Sequence, residues 1–316
     1  MKKEIKLVNK VKRLIRRAGL PRWLHRFGPK KFEFWHHALA LLARQLCQLS
    51  YRRVSWLLSQ LGICVPTYSA LAKMATRLPS GLWQRLLAAT CSSNVHIAAM
   101  DSTFFARTNP SHHYLRRIDR SGPVGRPVKA SVLVDTRRKK VIAARIRMWP
   151  RGDTLDMPAL LKQCTPHILV ADKGYDSEAV HEHCFHRKIV SMIPPRKSTK
   201  GGFYRRKQLK KFRLRTYHRR EMVESKFSSI KSPFGSTVKC RRARAIRAEL
   251  FVRFIVSNLF FVLTRLFQQR RSEATQTSQH QLHWILVISF PASKEIQNNS
   301  AMTEKVFKQE DYIGWL

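Results

Sequence analysis

The chain has 316 residues, 44% of them hydrophobic, which is enough to bury a sizeable core and excludes a disordered basic tail. It carries 61 Lys and Arg against 19 Asp and Glu, a formal net charge of +42 at pH 7. A surplus of that size repels itself unless a polyanion neutralises it, and nucleic acid is the commonest such partner of a folded protein. A histone-like packaging protein would share the charge, but such proteins are usually shorter and less hydrophobic.

The first 92 residues are predicted to be helical and basic, with eighteen Lys and Arg against two acids. Their periodicity predicts a basic helical arm over 1–32 with turns near Pro21 and Gly28, then helices over 32–49, near 51–61 and from Thr67. A turn at Gly62 between two short amphipathic helices is the outline of a helix-turn-helix, although an ordinary helical hairpin has the same pattern. We predict a DNA-binding region over residues 1–92.

The central part of the chain alternates between strands and helices. Apolar runs predict strands at 95–101, 128–135, 141–149, 167–172 and 189–193, with helices at 154–163 and 177–187. A basic loop over 196–215 and helices near 217–232 and 244–265 follow. This order predicts a mixed α/β sheet covered by helices over residues 93–270. Residues 271–316 are expected to form a poorly ordered tail.

Two carboxylates stand at the ends of predicted strands in this basic chain. Asp101 follows an apolar strand, and so does Asp172. Side chains at strand ends of an open sheet can converge on one site. Carboxylates are the ligands that Mg²⁺ prefers, and phosphodiester chemistry by two metal ions needs such ligands held close together. Each Asp alone is a weak signal, because many strands end in Asp.

A third carboxylate, Glu224, lies within a regular pattern. Tyr217, Arg220, Glu224 and Lys231 are separated by two, three and six residues, which on one helix places them within an arc of about 60°. A neighbouring arc is apolar: Val223, Phe227 and Ile230. We therefore expect Glu224 to lie near the sheet rather than in water. An ordinary solvated helix with one Arg220–Glu224 ion pair is the alternative.

These spacings resemble a known family. The pattern Tyr-x₂-Arg-x₃-Glu-x₆-Lys resembles the signature of the DDE transposases of prokaryotic insertion sequences. The segments MDST (100–103) and ADKGYDS (171–177) resemble the blocks that carry the first and second Asp of that family. The three blocks occur in the expected order, and the resemblance covers most of the chain.

The resemblance implies an RNase H-like fold, in which a mixed five-stranded sheet is flanked by helices. It implies a catalytic triad that binds two Mg²⁺ or Mn²⁺ ions, formed by Asp101, Asp172 and Glu224. Tyr217, Arg220 and Lys231 would contact phosphates of the DNA. The interval between Asp172 and Glu224 contains no Trp and is too short for the all-β insertion of some relatives. If a flipped base must be stacked, Tyr175, Phe203 or Tyr204 would have to do it.

The function that follows is that of a DNA transposase. It would bind the ends of an insertion sequence, cleave the phosphodiester with metal-activated water and transfer the 3′-hydroxyl to target DNA, with or without a DNA hairpin. Two ends must be joined, so we expect a homodimer on double-stranded DNA. An RNase H-like nuclease without strand transfer and a non-catalytic DNA-binding protein derived from a transposase remain alternatives. Degenerate copies usually lose a carboxylate, and this chain keeps all three.

Other features are expected to be structural. The six cysteines form no Cys-x-x-Cys pair, no secretory signal is apparent and the apolar runs are short, so we expect a prokaryotic cytoplasmic protein associated with the nucleoid through DNA and no membrane partner. The motif HEHCFH (181–186) is expected to be a surface helix rather than a zinc site. Turn or cap positions explain Asp135, Asp153, Asp156 and Asp176, although Asp153 and Asp156 could approach the site. Four further residues are predicted DNA contacts or a solvated loop: His112, His113, Arg126 and Lys129.

Overall fold

A computed structural model describes residues 2–24, 30–92, 94–108, 116–117, 125–197 and 201–274. Met1–Thr264 is one compact unit and Arg265–Leu316 is a second, and the features below belong to the first. The predicted turn at Gly28, the two histidines His112 and His113, and the tail from residue 275 onward lie outside the described residues.

The N-terminal part of the chain is helical, as predicted. Its helices are α1 (Lys2–Arg17), α2 (Phe34–Leu46), α3 (Tyr51–Gln60), α4 (Tyr68–Arg77) and α5 (Ser80–Ala89). Ser50 caps α3 by accepting the backbone N–H of Arg53 at 3.2 Å. Helices α2, α3 and α4 pack on one another, and α1 packs on α2 and α5. Helix α5 was not predicted, because its first residues, Ser80 and Gly81, resemble a turn.

A mixed sheet forms the centre of the compact unit. Its strands are β1 (Ile97–Arg107), β2 (Val128–Asp135), β3 (Lys140–Arg147), β4 (Ile168–Ala171), β5 (Val190–Met192) and β6 (Thr237–Val238). The order is β3-β2-β1-β4-β5, with β6 pairing the end of β1. Strands β1, β2 and β3 are antiparallel neighbours, whereas β4 runs parallel to β1 and β5 runs parallel to β4. The five-stranded mixed sheet is confirmed, and the short sixth strand is an addition.

Helices cover both faces of the sheet. They are α6 (Met157–Leu161), α7 (Glu178–His186), α8 (Phe203–Leu209), α9 (Leu214–Tyr217), α10 (Glu221–Phe234) and α11 (Ala243–Ala274). Side chains alternate between faces along a strand. Ala99 and Phe105 of β1 accordingly pack with α10, α11 and the helical region, while Ala98 and Met100 pack with α6 and α7. Odd-numbered residues of β1 therefore face α10 and α11, and even-numbered residues face α6 and α7.

Two amide side chains close the exposed edge of β3. Gln84 of α5 donates to the carbonyl of Ile142 and accepts the N–H of Ala144, both at 3.0 Å. Asn258 of α11 donates to the carbonyl of Val141 at 2.7 Å and accepts its N–H at 2.8 Å. An edge strand offers unpaired backbone groups to other chains. These amides occupy part of that edge and fix both helices to the sheet.

The predicted basic loop over 196–215 is wrong in part, because α8 and α9 lie within it. The carboxylate of Glu178 accepts the backbone N–H groups of Tyr204 and Arg205 at 2.8 and 3.1 Å, which satisfies the first turn of α8 as a capping residue would. Gly202 supplies the turn before it, with φ of 95°. This capping residue comes from another helix. Because the cap is not local, the sequence around residue 203 does not indicate where α8 begins. In the described part of the chain, no helix is long and apolar enough to span a membrane.

Candidate active site

Asp101 and Asp172 lie on neighbouring strands at the same level of the sheet. The parallel pairing of β1 and β4 aligns Met100 with Ala171, so the two aspartates are the next residues on adjacent chains. Asp172 follows β4 directly, as predicted. Asp101 does not end its strand, because β1 continues to Arg107, paired with β2 up to Phe105 and with β6 beyond. The convergence was predicted correctly and the strand end was not.

Arg220 joins the first and third carboxylates. Its Nη1 lies 3.7 Å from Asp101 Oδ2, and its Nη2 lies 2.6 Å from Glu224 Oε1. Burial alone would lower the pKa of Arg220, but nearby negative charge and Tyr217 raise it. The groups that do so are Glu224, Tyr217, Asp172 and Asp101. One guanidinium therefore lies within the field of all three predicted catalytic carboxylates, and the Arg220–Glu224 contact is more than an ordinary surface ion pair.

The surroundings of Asp101 raise the pKa of its carboxyl group. Burial raises the pKa of Asp101, and the charges of Asp153 and Asp172 raise it further. Arg220 and the backbone N–H of Ser102, which donates to Asp101 Oδ1 at 2.7 Å, oppose that shift. Burial is therefore the main cause of the raised pKa, and the neighbouring charges act in both directions.

The helix that carries Glu224 differs from the prediction. Residues 214–234 form α9, a 3₁₀ turn at His218–Arg220 and then α10, rather than one helix over 217–232. The neighbouring apolar arc is buried as predicted: Val223, Phe227 and Ile230. Glu224 was expected to be shielded near the sheet, but 52% of its side chain is exposed. It lies in the first turn of α10, where the backbone N–H groups favour a carboxylate.

Lys231 lies further along β1 on the same face. Its ammonium donates to Thr103 Oγ1 at 2.7 Å and stands 5.4 Å from the ring centroid of Phe105. Thr103 is two residues beyond Asp101, which along a strand is about 7 Å. The Tyr-Arg-Glu-Lys pattern therefore places its two basic residues at successive positions beside β1, although its helix is interrupted.

Ser102, Lys129 and Asp153 form a polar group on the opposite face of the sheet that was not predicted from the sequence. Asp153 Oδ1 accepts from Ser102 Oγ at 2.7 Å and forms an ion pair with Lys129. Lys129 is 3% exposed, so the predicted DNA contact is turned inward, and its charge is neutralised by Asp153. Alternation along β1 and β2 could have indicated this, because Ser102 and Lys129 share the face towards Asp153.

The rival carboxylates have structural partners. Asp135 accepts the N–H groups of Arg137 and Arg138 in the turn after β2, as expected of a turn residue. Asp156 is buried beneath the sheet and accepts from Ser131 Oγ at 2.8 Å and Arg147 Nε at 2.5 Å. In the described part of the chain, neither forms a hydrogen bond or ion pair with the carboxylates beside Arg220.

Asp176 fastens the segment after Asp172 to α8. Its carboxylate accepts from Arg205 Nε and Nη2, both at 2.8 Å, from His181 at 3.0 Å and from the backbone N–H of Arg196 at 2.7 Å. Burial acts to raise the pKa of Asp176, but these hydrogen bonds outweigh burial and lower the pKa to about 2. A turn position alone does not explain this residue, which is the centre of a buried polar network.

The motif HEHCFH is not the plain surface helix that was expected. His181 is fully buried between Asp176 and Ser191, whose hydroxyl lies 2.8 Å from His181 Nδ1, and Cys184 is buried as well. Across the described residues, no group of three or more His, Cys, Asp or Glu is arranged to hold a metal ion. The motif serves packing.

The aromatic residues proposed for base stacking differ in access. Tyr175 is 1% exposed and is closed to a base, whereas Phe203 is 61% exposed and Tyr204 is half-buried. Arg126, the remaining predicted DNA contact, is exposed and lies with its guanidinium 5.2 Å from the ring centroid of Trp149.

A comparison with protein families identifies the family of the chain. The profile of the transposase DDE domain matches residues 96–259, just over half of the chain. The chain belongs to the DDE transposase family. The matched residues of this transposase include all the strands and the three carboxylates. The predicted DDE transposase family and the predicted function as a DNA transposase are confirmed, whereas origin from a prokaryotic insertion sequence stays a prediction. Its mixed sheet flanked by helices is consistent with an RNase H-like fold.

Comparisons with individual proteins give weaker similarities than the family profile. Among solved structures, the cryo-EM structure of a piggyBac transposase synaptic complex with hairpin DNA is similar to the transposase. The TM-score is 0.41 and the sequence identity 11%, over 98% of this chain and 88% of that chain. None of the curated proteins matches the sequence.

Proposed function

We propose that this transposase binds the ends of a prokaryotic insertion sequence, cleaves the phosphodiester there and joins the freed 3′-hydroxyl to target DNA. Asp101, Asp172 and Glu224 are its catalytic, metal-binding residues in this proposal. The observation that carries it is the arrangement around Arg220, whose guanidinium contacts Asp101 and Glu224 and lies in the field of Asp172. Two carboxylates contact this cation and the third lies in its field, although across the described residues the three are not arranged as a group that holds a metal ion.

The donor set of this site fits the metal ions that the family implies. All three side chains offer carboxylate oxygens, which suit Mg²⁺ and Mn²⁺ and not the softer metals that select Cys or His. When bound, two such ions would supply Lewis-acid activation of the attacking water and stabilise the leaving oxygen.

The basic residues of the site are assigned to DNA phosphates. Arg220, Lys231 and Tyr217 lie beside the carboxylates and carry hydrogen-bond donors. Arg220 is well suited, because a guanidinium can form two parallel hydrogen bonds with a phosphate. Lys129 is assigned instead to holding Asp153, and through it Ser102, beside Asp101.

The helical region over residues 1–92 is assigned to recognition of double-stranded DNA. Helices α3 and α4 are joined by a turn at Gly62, whose φ is 70°, and they present exposed basic side chains: Arg52, Arg53 and Lys73. A helix-turn-helix places its second helix in the major groove. We assign catalysis to residues 93–270 and propose that two copies hold paired DNA ends, since both ends must be joined.

A strand-transfer assay tests the proposal. The substrate is a DNA fragment that carries the sequences flanking the gene, with a plasmid as target and Mg²⁺ present. We expect joined product from the wild type and a loss of about a thousandfold or more for Asp172→Asn and Glu224→Gln, because metal ligands are lost. Glu221→Gln, three residues from Glu224 and exposed, is the control and should retain activity.

The outcomes separate the alternatives. Wild-type activity in either triad variant would show that the site is wrongly assigned. Cleavage without joined product would indicate an RNase H-like nuclease without strand transfer. Binding of DNA ends with neither reaction would indicate a DNA-binding protein derived from a transposase.

A further inference from the structure

An open groove lies along the edge of the sheet, away from the carboxylates. It runs between β3, α5, α6 and α11 and has a volume of about 410 Å³. This volume lies in the range of pockets that bind small molecules or parts of larger ones, about 300–1,000 Å³. Ala144, Leu160 and Phe251 contribute apolar surface. The lining contains no Asp or Glu among the described residues.

The groove is strongly basic. Four arginines line it: Arg145, Arg147, Arg151 and Arg247. Arg147 is neutralised by Asp156, whose Oδ1 lies 2.5 Å from Arg147 Nε. The other three form no ion pair with any carboxylate in the described part of the chain, and Arg145 and Arg151 are exposed. Three positive charges in one groove without acids favour an anionic strand.

An exposed indole stands at one end of the groove. The side chain of Trp149 is 67% exposed, more than any other large hydrophobic residue that the structure describes. The Arg126 guanidinium lies 5.2 Å from its ring centroid, which fixes the indole by a cation–π contact. A large aromatic side chain held outside the core has surface left for another flat group to stack on. Unpaired nucleobases have such a face, whereas the bases of a duplex are already stacked.

The groove is connected to the carboxylate site by a short segment. Trp149 and Arg151 line the groove, and Asp153, two residues later, accepts the hydroxyl of Ser102 beside Asp101. Lys129 contacts both Asp153 and the carbonyl of Arg151. The segment thus links the groove to the strand that carries Asp101, but on the opposite face of the sheet from the Asp101 carboxylate.

We propose that this groove binds single-stranded nucleic acid, with its phosphates on Arg145, Arg151 and Arg247 and one unpaired base stacked on Trp149. Alternating basic and aromatic contacts of this kind are how proteins hold single strands without reading their sequence. The inference goes beyond the proposed reaction, and the groove is expected to bind in the absence of metal.

The test measures DNA binding by the full chain in EDTA, so a failure of the proposed chemistry cannot affect it. Fluorescence anisotropy of a labelled oligothymidylate of about 20 nucleotides is compared with that of a duplex of equal length. We expect Trp149→Ala to weaken single-strand binding about tenfold and to leave duplex binding nearly unchanged. Trp149→Phe should restore most of the affinity. Leu155→Ala removes a side chain that is 61% exposed, has no ring and does not line the groove, and it should leave single-strand affinity unchanged.

A second pair of variants tests the charges. Arg145→Gln and Arg247→Gln should each lower the slope of log affinity against log salt by about 0.7, the value for one phosphate contact with a single strand. The proposal is overturned if Trp149→Ala matches Leu155→Ala, or if it weakens single-strand and duplex binding equally. Polyaspartate that competes as well as oligothymidylate would show a general anion site and would also overturn it.

Discussion

Arg220 is the central cation of the proposed active site. It contacts Asp101 and Glu224 at once, and Asp172 contributes to its raised pKa. A cation brought to these carboxylates must compete with that guanidinium. Because Arg220 can also bind a phosphate, displacement from the carboxylates would leave it free to hold DNA. The sequence pattern identified the residue, but its contact with a distant strand required the fold.

Replacing Arg220 should strengthen metal binding in the absence of DNA. Arg220→Gln removes the competing charge, so the dissociation constant for Mn²⁺ should fall about two- to fivefold, the worth of a partly exposed ion pair. Arg219→Gln, an exposed neighbour, should leave it unchanged. Calorimetric titration of the full chain with Mn²⁺ measures both. Weaker Mn²⁺ binding by Arg220→Gln would contradict this account of the residue.

Asp176 should make the stability of the fold depend on acid pH. Its pKa of about 2 in the folded chain lies below the ordinary value of 3.8, so its contribution is fully present above about pH 4 and is lost as the pH falls towards 2. Asp176→Asn should lower the free energy of unfolding near neutral pH by roughly 2 kcal/mol. Urea denaturation at several pH values measures this loss.

The same variant should lose stability less steeply between about pH 4 and pH 3 than the wild type, because its amide does not titrate. Glu182→Gln, on the exposed side of α7, is the control. An unchanged acid dependence in Asp176→Asn would show that the Arg205 contact contributes little.

At the scale of elements, the sequence predicted what local patterns encode. The strand over 128–135 was predicted at its observed bounds, because a continuous apolar run ends there in a turn. The bounds of β1 were not predicted, since its extension past Asp101 depends on pairing with β2 and β6. Helix α8 was missed because its capping carboxylate, Glu178, comes from α7. Long-range partners decide such elements, and one sequence does not display them.

The contact between Glu178 and the start of α8 can be tested at two adjacent glycines. A Cβ at Gly202 would lie 2.1 Å from Glu178 Oε2, whereas a Cβ at Gly201 meets nothing within 4 Å. Both residues have positive φ, 95° and 79°, so both alanine variants carry the backbone strain of about 1 kcal/mol.

Gly202→Ala should therefore be less stable than Gly201→Ala by a further 1–2 kcal/mol, roughly the cost of a displaced carboxylate and its lost hydrogen bonds. Thermal or urea unfolding of the two variants side by side measures the difference. Equal stability would show that the Glu178 cap is not needed for α8.

For the whole molecule, charge and fold point to the same partner. A net charge of +42 favours binding to a polyanion. For a DDE transposase that polyanion is the DNA substrate. The carboxylates of the proposed site lie beside the guanidinium of Arg220 in this basic chain. The central claim is that Asp101, Asp172 and Glu224 act there by holding divalent metal ions.

The most direct measurement is the rate of DNA-end cleavage by wild type and Asp172→Cys in Mg²⁺, Mn²⁺ and EDTA. A thiolate is a poor ligand for Mg²⁺ and a better one for the transition-metal ion Mn²⁺. We predict that the wild type cleaves with either ion and not in EDTA. Asp172→Cys should be inactive in Mg²⁺ and recover part of its activity in Mn²⁺. Undiminished wild-type cleavage in EDTA, or full activity of Asp172→Cys in Mg²⁺, would contradict the assignment.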